Sequence, residues 1–234
     1  MKRIVISVLA VATLLLTNGF LPPDMPKEEV RKLDAFSGIG ISVHADVFYT
    51  SGNTHEITIE GDDRDVDDLI TEVENGFLKI RYPDGSWRIK RSKLTIHVTS
   101  RELEAVKMAG SGLFECEQAI ASDEMELAIS GSGDIVFKNL EADEVDVKIS
   151  GSGNVELERG NADEMDLRIS GSGKMHAEDF EVNEFSAAIS GSGSARITAK
   201  EDLDVKISGS GKVYYHGDPR VNSVSSGSGK AVAF

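Results

Sequence analysis

Cysteine is nearly missing from this chain: Cys116 stands alone in 234 residues. An intramolecular disulfide is excluded, so stability has to come from packing and hydrogen bonding. Proline is scarce as well, and none lies between Pro83 and Pro219. Such a stretch can run as an unbroken hydrogen-bonded ladder. Aromatic residues make up 6% of the chain with one tryptophan, Trp87, which leaves no outward row of rings for stacking sugars. Positive charge is short too, with 25 Lys and Arg against 40 Asp and Glu. A net charge of −15 repels nucleic acid and anionic headgroups, so no nucleic-acid partner is expected.

No apolar run reaches transmembrane length, so no transmembrane helix is expected in the mature chain. The longest, Ile4 to Leu16, follows basic Lys2-Arg3 and is interrupted only by Ser7 and Thr13. It reads as the core of a secretory signal peptide over residues 1–19, with an uncleaved anchor as the alternative. No cysteine follows it directly to accept a lipid. The protein is therefore expected to be exported to the periplasm, the outer surface or the medium. Residues 20–32, holding Pro22, Pro23 and Pro26 among charges, read as a linker.

From Leu33 the pattern becomes β. Ile39, Ile41 and Val43 alternate, as do Ile57 and Ile59, and later Leu94, Ile96 and Val98. Asn75-Gly76 sits between alternating residues as a hairpin signal. Asp62–Asp68 is too acidic and too short for a regular helix, and a single turn is expected there. Residues 33–104 thus read as an N-terminal β segment leading into the rest.

The rest repeats. Gly-Ser-Gly begins at Gly110, Gly131, Gly151, Gly171, Gly191, Gly209 and Gly227, in steps of 21, 20, 20, 20, 18 and 18 residues. A near-fixed period marks stacked repeats. Before each triplet stand alternating apolar residues, such as Met125-Leu127-Ile129, Val145-Val147-Ile149 and Met165-Leu167-Ile169. After it comes a second alternating pair, such as Ile135-Phe137 and Val155-Leu157. Each repeat therefore holds two short inward-facing strands, a Gly-Ser-Gly bend and an acidic corner. One repeat buries too little apolar surface to offset its own ordering, so neighbours must stack. The expected fold is all-β, a parallel β-helix with about 18–21 residues per coil over residues 105–234, helix being close to nil. Ser223 and Ser225 fall at inward positions in the last repeat, the mark of an atypical end coil.

The order Phe36-Ser37-Gly38-Ile39, Ile57-Thr58-Ile59-Glu60-Gly61-Asp62, Thr71 to Ile80 with Asn75-Gly76, then iterated Ile-Ser-Gly-Ser-Gly resembles the head-GIN-domain family. The resemblance spans Leu33 to Phe234. It implies a bacterial envelope protein, an auto-transporter adhesin by description, with a right-handed β-helix. It names no ligand.

Several groups are candidates for chemistry. The glycines of the bends, Gly131, Gly133, Gly151, Gly153, Gly171, Gly173, Gly191, Gly193, Gly209 and Gly211, follow no Walker spacing and read as backbone bends. The serines around them form outward hydroxyl ladders. Glu124, Glu144, Glu164, Glu184 and Asp202 recur seven residues before each bend, with Glu126, Asp146, Asp166, Ser186 and Asp204 two residues on. Stacked carboxylates repel unless compensated by Lys148, Arg168 and Lys206 or bridged by a cation such as Ca2+. No other cofactor is called for. His44, His55, His97, His176 and His216 form no triad or ligand spacing, so no catalytic residue is assigned. Trp87 to Lys93 is the one basic cluster and reads as a solvated hairpin, or else as a dock for an anionic partner. Cys116 falls at an inward position and reads as an inert thiol.

These readings converge on a non-enzymatic exported β-helix, an adhesin-like or structural surface module whose partner is a protein or glycan. The alternative is a glycan-binding protein or polysaccharide-active enzyme of the cell surface. That alternative requires a groove built by long loops between coils, and the short, even repeats argue against one.

Overall fold

A computed structural model describes residues 26–85 and 89–234. Residues 1–19, read as a signal peptide, and Pro22, Pro23 and Trp87 lie outside the described residues. In chain order the strands are β1 (Lys27–Lys32), β2 (Gly38–Ile41), β3 (Ala45–Ser51) and β4 (Glu56–Gly61), then helix α1 (Asp63–Asp67), then β5 (Ile70–Glu74), β6 (Phe77–Arg81) and β7 (Leu94–Ser100). They continue as β8 (Ala105–Met108), β9 (Gly112–Gly131), β10 (Asp134–Gly151), β11 (Asn154–Leu157), β12 (Gly160–Gly171) and β13 (Lys174–Gly191). Last come β14 (Ser194–Gly209), β15 (Lys212–His216), β16 (Arg220–Gly227) and β17 (Lys230–Ala233). The protein is a β-solenoid of about six turns.

The repeat register follows the sequence period. Met125, Val145, Met165, Phe185 and Leu203 stand on successive parallel rungs, as do Leu127, Val147, Leu167, Ala187 and Val205. Ile129, Ile149, Ile169, Ile189 and Ile207 form a third column, and all of these side chains are buried. After the bend, Phe114, Ile135, Val155, Met175, Ala195 and Val213 line the opposite sheet. Parallel rungs place like side chains one above the other about 4.8 Å apart, so one core runs the length of the solenoid.

The corner between the two inward strands is more than an acidic turn. Ile120, Leu140 and Phe180 are buried there, and so are Ala162, Val182 and Ala199. They form a third inward segment in each coil. Coil length changes at this corner, with register shifts between Phe137 and Asn139 and again between Ala177 and Glu184. The shifts spoil the even spacing that made the other two segments visible. Phe180 stands in register with Gly160, a large buried ring beside a residue with no side chain.

The bends show why glycine recurs. Ser152, Ser172, Ser192, Ser210 and Ser228 each donate a backbone N–H to the first Gly carbonyl of the preceding triplet at 2.9 Å. The first glycine of the triplets from Gly131 onward has φ between +122° and +148°, a region side chains rarely enter. A β-carbon on the second glycine would strike the coil before: on Gly211 it would lie 2.6 Å from Cγ2 of Ile189.

The N-terminal end of the core is covered. Strand β1 pairs antiparallel with β4, and β4 antiparallel with β7, so the stretch read as a linker carries a strand over Lys27–Lys32. The β5–β6 hairpin turns through Asn75 and Gly76 at φ of 52° and 75°. Helix α1 is five residues long, one turn capped by the Asp62 carboxylate accepting from Arg64 N–H at 3.1 Å. Its Asp65 is 4% exposed. Arg91 meets Asp65 at 2.9 Å and Asp68 at 2.7 Å and lies over the Tyr82 ring at 4.3 Å. The Arg91 end of the basic cluster is therefore a buried lock between loop and helix, and not a solvated charge. The reason is the acidic turn, whose Asp65 would be stranded in the interior without a cation.

Candidate functional site

Outward positions of the sheet before the bends align into columns that run along the solenoid. One column reads Gly40, Lys107, Ala128, Lys148, Arg168, Ala188 and Lys206 on neighbouring strands. The column beside it reads Ser130, Ser150, Ser170, Ser190 and Ser208, the outward hydroxyl ladder. Between them runs an open furrow of about 620 Å³, from Gly40 and Ser42 to Ala188 and Ser190. The Cβ atoms of Ala109, Ala128 and Ala188, the serine methylenes and the stems of Lys107, Lys148 and Arg168 make it apolar.

No long loop builds this furrow. It arises from small side chains in a column that otherwise carries lysine and arginine. Even coils build no loop-walled cleft here; a step in side-chain size within one column makes the trough instead.

The cations of the column are mostly neutralised by the carboxylates of the neighbouring outward column. Lys107 meets Glu126 at 2.5 Å. Lys148 meets Asp146 at 2.7 Å and Glu126 at 3.6 Å, and Arg168 meets Asp146 at 3.3 Å and Asp166 at 3.4 Å. The compensation expected of Lys148 and Arg168 is thus in place, as a chain of pairs crossing from coil to coil. Lys206 differs. Asp204 beside it is taken by the Asn222 amide at 2.7 Å, and Lys206 is in no ion pair among the described residues. Asp166, Arg168, Ser186, Ala188, Asp204 and Lys206 line a smaller recess on the other side of this column.

Glu124, Glu144, Glu164 and Glu184 are exposed and stack rung on rung, with Asp202 next and Arg220 pairing it at 2.5 Å. Among the described residues, no three His, Cys, Asp or Glu side chains converge on a point where a metal ion could sit. The histidines are scattered: His97 stacks on Phe48, His55 meets Phe36 edge-on, and His216 packs by Phe234. Cys116 is fully buried, and burial pushes its thiol up to about 11. The Tyr82 hydroxyl is raised to about 12, chiefly by burial and next by the Asp65 charge.

Sequence reasoning named Lys148, Arg168, Lys206 and the serines but missed Ala128 and Ala188 as the floor. The signal was present, since those two alanines interrupt a cationic column.

A solenoid with this regular exterior and an apolar trough defines a repeat scaffold that presents a face. The chain belongs to the family described as "Putative auto-transporter adhesin, head GIN domain", whose model matches residues 35–219. Comparison with curated proteins gives no significant match. Similar solved structures include the following three. A "putative lipid binding protein" from Parabacteroides distasonis is 25% identical with a TM-score of 0.75, covering 90% of this chain and 97% of that one. A "putative adhesin" from Bacteroides fragilis is 21% identical with a TM-score of 0.78, covering 92% and 100%. Another "putative adhesin", from Parabacteroides merdae, is 23% identical with a TM-score of 0.72, covering 90% and 97%. The last two share the fold. No helix among the described residues is long and apolar enough to cross a membrane.

Proposed function

We propose that the chain is a non-enzymatic, exported surface module of the adhesin type, holding its partner on the outward face of strands β8 to β14. The furrow carries this reading: it is an apolar trough crossing several coils on a face otherwise covered by paired charges. The basic, then apolar, N-terminal residues Lys2 to Leu16 support export to the envelope or beyond. Carboxylates that recur coil after coil, with histidines in separate strands and turns, support a structural use of charge and not a catalytic constellation.

The lining of the furrow favours one partner chemistry. None of its lining residues is aromatic, which disfavours sugar stacking, while alanine and lysine stems suit a hydrocarbon. One relative is itself described as lipid binding. The test is saturable binding of labelled protein to isolated bacterial envelopes, competed by unlabelled protein. Expected is a plateau that organic-solvent extraction of the envelopes removes. Binding that never saturates, or that survives extraction unchanged, contradicts the reading.

A further inference from the structure

The two ends of the furrow are chemically unlike. At the Gly40 end, the Phe77 ring lies across Gly38 and Gly40: a β-carbon on Gly40 would stand 2.8 Å from its Cε1. Lys107 Nζ sits 5.5 Å from the centre of that ring. Beyond the Ala188 end the next rung of the column carries Lys206, the one cation of the column without an ion pair among the described residues. Between the ends, Lys107, Lys148 and Arg168 are matched by Glu126, Asp146 and Asp166, so the middle carries no net charge. From Gly40 to Ala188 the trough crosses six strands, five steps of about 4.8 Å, or about 24 Å. One acyl chain fills half of a hydrocarbon core about 30 Å thick, so about 15 Å. The trough is long enough for a whole chain.

We propose that this furrow holds a single-chain amphiphile, a free long-chain carboxylate, with its methyl end toward Phe77 and its carboxylate at Lys206. The proposal rests on the reading of this face as a binding surface. An aromatic ring beside one end, an apolar middle of matched charges and, beyond the other end, a cation without an ion pair among the described residues match the polarity of such a molecule. A single trough takes one chain and not two. The net charge of −15 argues against an anionic membrane as the source, because a membrane meets the field of the whole protein. A lone carboxylate meets chiefly the charges within about 10 Å.

The test is calorimetric titration of the purified, delipidated chain with laurate, with uncharged 1-dodecanol and with phosphatidylglycerol vesicles. Laurate is expected to bind one to one. Ala128→Trp fills the trough from an outward position and should weaken laurate at least about tenfold, since each methylene kept in water costs up to about a factor of four. Lys206→Ala should weaken laurate about threefold and leave 1-dodecanol unchanged. Both variants should melt with the parent protein; if Ala128→Trp does not, Ala188→Trp supplies the block. The proposal is overturned if laurate does not bind, if the filled trough binds as well as the parent, if Lys206→Ala weakens both probes alike, or if only vesicles bind. Loss of laurate binding with envelope binding intact would sink the ligand and spare the surface reading. Laurate binding without envelope binding would do the reverse.

Discussion

A β-carbon on Gly191 would stand 2.5 Å from the carbonyl oxygen of Gly171, the oxygen to which the Ser192 N–H donates at 2.9 Å. The oxygen cannot move away without breaking its rung, and Gly191 itself has a φ of 122°. Gly191→Ala should therefore cost about 3 kcal/mol or more, combining backbone strain with steric overlap. Gly76→Ala is the control: φ is 75° but no atom lies within 4 Å of the added carbon. It should cost about 1–2 kcal/mol. Urea titration of the two variants separates them, and equal losses would mean that the bends tolerate a side chain.

Val147 and Lys148 are neighbours on opposite sides of one rung. Val147 is fully buried, and Val147→Asp should cost several kcal/mol by placing a charge in the core. Lys148 is half exposed and pairs with Asp146 and Glu126. Lys148→Asp should cost only about 1 kcal/mol. Similar denaturation midpoints would show the inward and outward faces to be reversed.

Cys116 gives the alkaline limit. Burial raises its thiol from an ordinary 9 to about 11, so the unfolded chain loses this proton first as pH rises. The stabilisation is complete below pH 9 and is lost between about 9 and 11, up to about 2–3 kcal/mol. Tyr82, raised to about 12 from 10, extends the decline in the same direction. The melting temperature should fall across this range, and Cys116→Ala should remove part of the slope. A native thiol that reacts with a disulfide reagent at pH 8 as fast as free cysteine would contradict the burial argument.

The column Glu124, Glu144, Glu164 and Glu184 places like charges on successive rungs without a converging ligand set. Each contact is worth under about 1 kcal/mol in water and is screened by salt. Sodium chloride should raise the melting temperature, and Ca2+ at matched ionic strength should add little. A bound Ca2+ would add a mass-action gain well beyond that, so a large response specific to Ca2+ would restore these glutamates as metal ligands.

Much of this was legible because parallel stacking repeats the same demand at every coil. Leu127, Val147 and Leu167 announced the inward column by period alone, and the iterated Gly-Ser-Gly gave the coil length. What hid was whatever broke the period. The inward corner residues Leu140 and Phe180 vanished behind register shifts, and nothing in the acidic turn singled out Asp65 as the residue that Arg91 reaches. The furrow is a difference in side-chain size along a column of exposed residues. Counting loops could not find it; reading Ala128 and Ala188 against Lys148 and Arg168 could.

The most direct measurement compares one added ring on each of two faces in envelope binding. Ala128→Trp fills the furrow, while Glu156→Trp places the same ring at an exposed position of β11 in the other sheet. If the furrow face is the recognition surface, Ala128→Trp loses saturable binding and Glu156→Trp keeps it, both with the parent's melting temperature. Equal binding by the two variants, or loss only with Glu156→Trp, would contradict the assignment of function to this face.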